Sequence, residues 1–366
     1  MQFDRRSLLM GGPAALLATA SPSLASTSDR PALRTLAAQK GLIIGSAMAA
    51  TELNTEDRAL FAAELSGITP ENALKMSSLR PTRDVWRFAQ ADAIVDFATK
   101  AGLRVRGHTL IWNNDQQPKW IASLSEPALI AAMQEHIERT ITRYADRIRV
   151  WDVINEPIGE KQVGKLSLRD GPFLARLGPR YIARSFRMAR AVSPSAKLVL
   201  NETHTERGDR YGETFRRNLL LLIDQLQDQG VPLDGVGLQG HLRSDVSFNP
   251  DTFAAFLDQI EKRKLFIEIT ELDVNDISYP DDIEARDRAV AGLYRDYLTI
   301  ALANRAVKSL TFWQLGDKES WYFANSIHQN PGALRRPRPL LFDLRMRPKP
   351  ALFTVLDALR NMPSRG

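Results

Sequence analysis

Two segments of the chain end an apolar run in a carboxylate. One is Trp151-Asp152-Val153-Ile154-Asn155-Glu156-Pro157, and the other is Ile267-Glu268-Ile269-Thr270-Glu271-Leu272-Asp273-Val274. Two carboxyls meeting from separate strands can cleave a glycosidic bond. One protonates the leaving oxygen, and the other attacks the anomeric carbon or activates water there. The acid must hold its proton before the first step, a state that a nearby anion and partial burial favour. Either glutamate alone reads equally well as an acid that ends a strand and faces solvent. As a pair, with Asn155 beside one and Asp273 beside the other, they point to chemistry.

The elements that must position this pair are legible as an alternation. The strand candidates are Leu42–Met48, Gly67–Ala73, Val105–Ile111, Val150–Asn155, Leu198–Asn201, Val236–Gly240, Phe266–Thr270 and Leu310–Gln314. They are continuous Val/Ile/Leu runs, as buried parallel strands are, rather than alternating ones. Between them lie segments of helical period: Ala91–Ala101, Glu126–Tyr144, Tyr181–Val192, Thr214–Gln229, Thr252–Arg263 and Ile283–Asn304. Asn249-Pro250-Asp251 and Tyr279-Pro280-Asp281-Asp282 open two of these, and glycine follows the ends at Gly102 and Gly230. Eight β-then-α units predict a single-domain (β/α)₈ barrel, an α/β fold whose active sites are built at the carboxyl ends of its strands. A doubly wound open sheet shows the same alternation, so periodicity leaves both available. No Gly/Ser- or Pro-rich linker divides the chain, and the stretch from Gly316 to Arg347 reads as one long functional loop.

Composition removes several classes. The 366 residues contain no cysteine, which excludes disulfides, thiolate metal sites and a cysteine nucleophile. The net charge of +6 reads best as a basic solvated surface. The dense basic cluster Arg335-Arg336-Pro337-Arg338 lacks the interleaved aromatics of a single-strand binding groove, so no nucleic-acid partner is expected. At the amino terminus, Arg5-Arg6-Ser7-Leu8-Leu9 precedes the apolar stretch Gly11 to Ala20 and the small-residue site Ser23-Leu24-Ala25. This pattern predicts a twin-arginine-type signal peptide over residues 1–25 and a catalytic domain over residues 26–366. The apolar stretch is too short to span a bilayer. A periplasmic or secreted monomer that engages no membrane is the expectation.

The motifs jointly resemble the family 10 glycoside hydrolases, the endo-β-1,4-xylanases. They are Thr69-Pro70-Glu71-Asn72-Ala73-Leu74-Lys75, Gly107-His108-Thr109-Leu110-Ile111-Trp112, Trp151 to Glu156, and Gly235-Val236-Gly237-Leu238-Gln239-Gly240-His241. Further matches are Thr270-Glu271-Leu272-Asp273, Trp313 with Asp317 and Ser320-Trp321, Pro339-Leu340-Leu341-Phe342-Asp343 and Lys349-Pro350-Ala351. The resemblance implies endo-acting hydrolysis of xylan or xylo-oligosaccharides by a retaining double displacement. Glu156 would be the acid/base and Glu271 the nucleophile. It implies that Asn155 binds the reacting sugar, and that His241 and Asp273 orient the nucleophile. Glu71, Asn72, Lys75, His108 and Gln239 would bind sugars on the non-reducing side, and Trp112, Trp313 and Trp321 would wall the reacting sugar. It implies no cofactor and no metal. Trp86, Trp120 and Trp151 are assigned to the core.

The chain departs from the family pattern in places. Met76 stands where tryptophan is common, Asn113 replaces a histidine, and Gln314 replaces a glycine. Neither Gln116 nor Gln117 aligns cleanly with the family's glutamine. Thr203 and His204 occupy positions where Tyr-Asn is frequent, so aromatic coverage around the cleavage point is expected to be poorer at Met76 and Thr203. Two other readings stay open: a retaining β-1,4-glucanase or aryl-β-glycosidase, and a non-catalytic carbohydrate-binding barrel.

Overall fold

The computed structural model describes residues 30–160, 165–323 and 335–365. Residues 1–25, where the signal peptide is expected, lie outside them, while Pro31–Gly366 makes one compact unit. Eight strands form its centre: β1 (Ile43–Met48), β2 (Gly67–Pro70), β3 (Arg104–Gly107), β4 (Ile148–Asn155), β5 (Lys197–Glu202), β6 (Gly235–Leu238), β7 (Phe266–Asn275) and β8 (Val307–Phe312). Each pairs in parallel with the next, and β8 pairs in parallel with both β7 and β1, which closes the barrel. Closure decides against the open sheet that periodicity had left available.

Two short pieces extend the rim at the carboxyl ends of the strands. Ile111–Trp112 pairs with Ile154–Asn155, and His241–Arg243 pairs with Asp273–Asn275. In this register Trp112 lies beside Asn155 and His241 beside Asp273.

The expected helices are present. Glu126–Arg143 and Pro250–Lys262 have bounds close to those read from the sequence. Asn249 and Asp282 cap their helices by accepting hydrogen bonds from the Thr252 and Ala285 amides at 3.0 and 2.8 Å. The helix Arg210–Asp228 starts before Thr214, because the Asp209 carboxylate accepts from the Gly212 amide at 3.0 Å. Helices not read from the sequence include Leu33–Gln39, Asp57–Glu64, Pro172–Leu177, Met76–Leu79, Lys119–Ala122 and Pro350–Asn361. The first three span 7, 8 and 6 residues, too few turns to establish a periodicity.

The barrel interior is partly polar. Arg106 of β3 pairs with Asp152 of β4 and Glu268 of β7, all nearly inaccessible to solvent. Asp152 also holds His108, Oδ2 to Nδ1, at 2.9 Å. Trp151 is fully buried as expected, and its indole occupies the space where a Gly107 Cβ would lie, 2.1 Å from that position. Trp120 packs against the core from its edge, whereas Trp86 lies outside it; both are half-buried, and they flank the Arg80 guanidinium at 4.6 and 4.8 Å.

Candidate active site

At the carboxyl ends of the strands lies a cleft of about 490 Å³. It brings together Glu71, Asn72, Lys75, His108, Trp112, Asn155, Glu156, Gln239, His241, Glu271, Trp313 and Trp321. Asp273 stands behind this wall, fully buried. A wider groove of about 900 Å³ lies between the outer helices Glu126–Arg143 and Arg180–Val192, and no pair of carboxylates converges there.

Glu271 is buried near the middle of β7. Its Oε1 accepts from Asn201 Nδ2 at 2.8 Å, and its Oε2 faces His241 Nε2 at 3.3 Å. The other imidazole nitrogen, Nδ1, meets Asp273 Oδ1 at 2.8 Å, and Trp321 Nε1 donates to Asp273 Oδ2 at 2.8 Å. Burial works against ionisation of Glu271. The His241 hydrogen bond and the charges of His108, His241 and Lys75 outweigh it and hold the carboxyl down at about 2. Burial likewise opposes a charged His241, but Asp273 and Glu271 raise the imidazole well above its ordinary value. Asp273 itself is raised by burial despite its three donors. The arrangement favours an ionised Glu271 against a cationic imidazole.

Glu156 follows the last residue of β4 and is partly open to solvent. Gln239 Nε2 donates to Oε1 at 2.9 Å, while Trp112 Nε1 and Arg169 Nη2 reach Oε2 at 3.2 and 3.0 Å. Asn201 joins the two halves of the site: its Nδ2 donates to Asn155 Oδ1 and to Glu271 Oε1, both at 2.8 Å, and its Oδ1 accepts from Thr270 at 2.8 Å. Lys75 Nζ donates to Asn72 at 2.9 Å and lies 5.0 Å from the Trp112 ring centre. Burial lowers its pKa, against the opposing pull of Glu271, Glu71 and Glu156.

Several residues were missed or misread from sequence. Asn201, Arg169, Arg243, His204 and Tyr322 face or support the cleft without having been singled out as site residues. Asn201 had a usable signal, a polar residue at the carboxyl end of an apolar strand. Arg169 had none, because the loop that follows β4 must fold back on itself to bring it in. Met76 is not on the cleft wall: it is 3% exposed and packed in the core, so it gives no aromatic coverage and leaves no gap in it. Thr203 does line the cleft, next to His204, whose pKa falls to about 3 through burial and the charges of Arg207, His241, Arg169 and Arg243. Of the two uncertain glutamines, Gln116 lines the cleft, whereas Gln117 donates to the Trp112 carbonyl.

Comparison with known proteins agrees with this geometry. The chain is 30% identical to endo-1,4-beta-xylanase B of Paenibacillus barcinonensis, over 86% of this chain and 94% of the relative. The crystal structure of native xylanase 10B from Thermotoga maritima superposes with a TM-score of 0.79 at 30% identity, covering 90% of this chain and 98% of that one. Xylanase 10B from Thermotoga petrophila RKU-1, solved in complex with xylobiose, matches equally well: 30% identity, TM-score 0.79, and 91% and 98% coverage. The family model of glycosyl hydrolase family 10 matches residues 32–358, and the chain belongs to that family.

Proposed function

We infer that the protein is a retaining endo-β-1,4-xylanase that hydrolyses bonds within xylan chains. The observation that carries this reading is the contrast between two glutamates on one cleft. Glu271 is ionised and buried against His241, as an attacking carboxylate must be. Glu156 is partly exposed and held by donors on both oxygens, within reach of solvent for proton exchange. In the first step Glu156 gives its proton to the leaving oxygen while Glu271 bonds to the anomeric carbon. In the second, Glu156 takes a proton from water as the water oxygen displaces Glu271. Asn155 binds the reacting sugar. Glu71, Asn72, Lys75, His108 and Gln239 supply the hydrogen bonds on the non-reducing side, and Trp112, Trp313 and Trp321 cover apolar sugar faces. His241 and Asp273 orient the nucleophile. The residues need no metal or cofactor for these steps, and the protein is read as acting as a monomer.

The reading extends to the amino terminus: residues 1–25 direct twin-arginine export of residues 26–366 to the periplasm or beyond. Replacing Arg5 and Arg6 by lysine should leave precursor in the cytoplasm, and normal export of that double variant would refute the route. For the activity itself, the test is product analysis on xylan, glucuronoxylan and carboxymethyl cellulose, with the anomeric configuration read by proton NMR in the first minutes. Xylo-oligosaccharides of β-configuration are expected. Turnover of carboxymethyl cellulose alone would transfer the assignment to a glucanase, and an inverted product would overturn the double displacement.

A further inference from the structure

Glu156 is held through both its backbone and its carboxylate. It has a φ of +49°, an uncommon backbone conformation for a residue with a side chain. Its amide donates to the Asn201 carbonyl at 2.8 Å, and its own carbonyl accepts from Arg169 Nε at 2.9 Å. The same guanidinium places Nη2 3.0 Å from Glu156 Oε2, so one arginine holds both the backbone and the carboxylate of a single residue. Arg169 is itself fixed: its amide donates to the Pro157 carbonyl at 2.7 Å, and its carbonyl accepts from Asn113 Nδ2 at 2.7 Å. Asn113 is fully buried, and its Oδ1 accepts from the Phe173 amide at 3.0 Å. A Cβ on Gly171 would lie 2.4 Å from that same oxygen, so the backbone passes there only without a side chain. The asparagine that departs from the family pattern is thus the anchor of the arginine.

We propose that Arg169 is a positioning residue for Glu156, aiming the carboxylate at the water that resolves the glycosyl–enzyme. This rests on the reading of Glu156 as acid/base in a retaining xylanase. Oε2 already accepts from Trp112 and faces Arg169, an environment that suits an anion and leaves no acceptor for a proton on that oxygen. The first step needs the carboxyl protonated; the second needs it ionised and aimed. Arg169 serves the second step. The other charged groups facing Glu156 are Lys75, shared with Glu271, and Glu202 of β5; the remaining donors, Gln239 and Trp112, are neutral. Among these groups Arg169 is the one cation in direct contact with Oε2.

The test compares Arg169→Gln and Arg169→Lys with wild type on two substrates, a xylo-oligosaccharide and an aryl xylobioside with a good leaving group. The aryl substrate needs no acid in the first step, so its kcat reports the second. For Arg169→Gln we expect kcat on the aryl substrate to fall about 10-fold, part of the 10²–10⁴ that a general base supplies. Its kcat/KM there should hold, and azide, which needs no base, should restore kcat. On the xylo-oligosaccharide the alkaline limb of kcat/KM should move up, because the cation 3.0 Å from Oε2 is gone. Arg169→Lys keeps a charge but cannot make both contacts, so it should hold the alkaline limb and recover part of the lost kcat. An equal loss of kcat/KM on both substrates, with the alkaline limb unmoved and no azide rescue, would mean a merely structural arginine and overturn the proposal. Wild-type protein inactive on both substrates would sink the underlying reading, and the proposal with it.

Discussion

The surroundings of the two glutamates are built in opposite ways. Glu271 is served by its own strand and others of the sheet: Asp273 lies two residues on, His241 pairs in register with Asp273, and Asn201 reaches past β6 from β5. Glu156 takes one donor from the rim piece beside it, one from β6's end, and one from a segment anchored through Asn113. The Glu271 carboxylate is therefore held by strands of the barrel, and that of Glu156 by contacts that depend on loops. A carboxylate that must stay ionised can be locked in place, whereas one that alternates between acid and base needs partners that tolerate both forms.

Breaking the comparison at its two centres gives the largest effects. With Glu271 as the proposed nucleophile, Glu271→Ala removes the attacking atom and should cost on the order of 10⁵-fold in kcat on every glycoside. Azide should rescue it with an α-configured product. Glu156→Ala should cost about 10²–10⁴-fold on natural substrates but far less for formation of the intermediate from an activated aryl xylobioside. Azide should then give the β-product. Opposite product configurations, read by proton NMR, separate the two roles. The same configuration from both variants would dissolve the distinction.

A milder break acts through Asp273. Asp273→Asn leaves His241 without the anion on Nδ1, so the imidazole is less often charged and Glu271 loses part of what holds its carboxyl near 2. Glu271 must be ionised to attack, so the acid limb of kcat/KM should move up by about one pH unit, with the alkaline limb unchanged. Arg169→Gln should do the reverse and move only the alkaline limb. Shifts of both limbs in either variant would show that the two glutamates titrate as one coupled pair.

These two environments were unequally legible in the sequence. Glu156 and Glu271 could be picked out because a carboxylate that closes an apolar run is visible in one line of text, whereas Asn155 and Asp273 took their roles from the family resemblance. The barrel was legible because eight buried strands are short Val/Ile/Leu runs between helical periods. Arg169 was invisible because its position depends on a chain reversal and on Asn113, which read only as a departure from the family pattern. Met76 was misjudged for the complementary reason: spacing placed it next to Lys75 without showing which way its side chain turns, and it turns into the core. Trp86 was assigned inward on residue type alone, while Arg80, held between it and the core-edge Trp120, offers a stable half-exposed position.

Stability against pH sharpens the contrast from the Glu156 side. Glu202 is fully buried and accepts from the Ile158 and Thr203 amides, both at 2.9 Å; burial outweighs these contacts and raises its carboxyl to about 8. Glu52 and Glu206 are raised by burial to about 8 and 7. A carboxyl raised above its unfolded value of 4.5 supplies stability that is complete below that value and is lost as pH rises through the folded one. Glu271 has the opposite sign, its contribution being lost only as pH falls from 4.5 toward 2. The melting temperature should therefore fall between pH 5 and pH 8, by roughly 2–4 °C per kcal/mol of linkage. Glu202→Gln should flatten that fall in thermal scans at the two pH values, and an unchanged slope would assign the loss to other groups.

The smallest effect is expected at a position that touches neither glutamate. Gln314 follows Trp313 just past the end of β8, is fully buried, and has a φ of +93° where the family pattern has glycine. A side chain in that region of backbone space costs about 1–3 kcal/mol, and the surrounding structure must impose it. Its Nε2 donates to Glu71 Oε2 at 2.9 Å, which fixes one of the carboxylates read as binding sugar on the non-reducing side. Gln314→Gly should thus act in two directions. Relief of the backbone strain should raise the melting temperature, offset in part by the volume lost on removing a buried side chain. Loss of the donor should free Glu71 and raise KM for xylo-oligosaccharides long enough to reach it. Because the variant leaves Arg169, Asn201 and His241 in place, both limbs of the pH profile should stay where they are. A shifted limb would mean that the non-reducing side of the cleft tunes the catalytic pair, and that the two glutamates are less independent than their separate surroundings suggest.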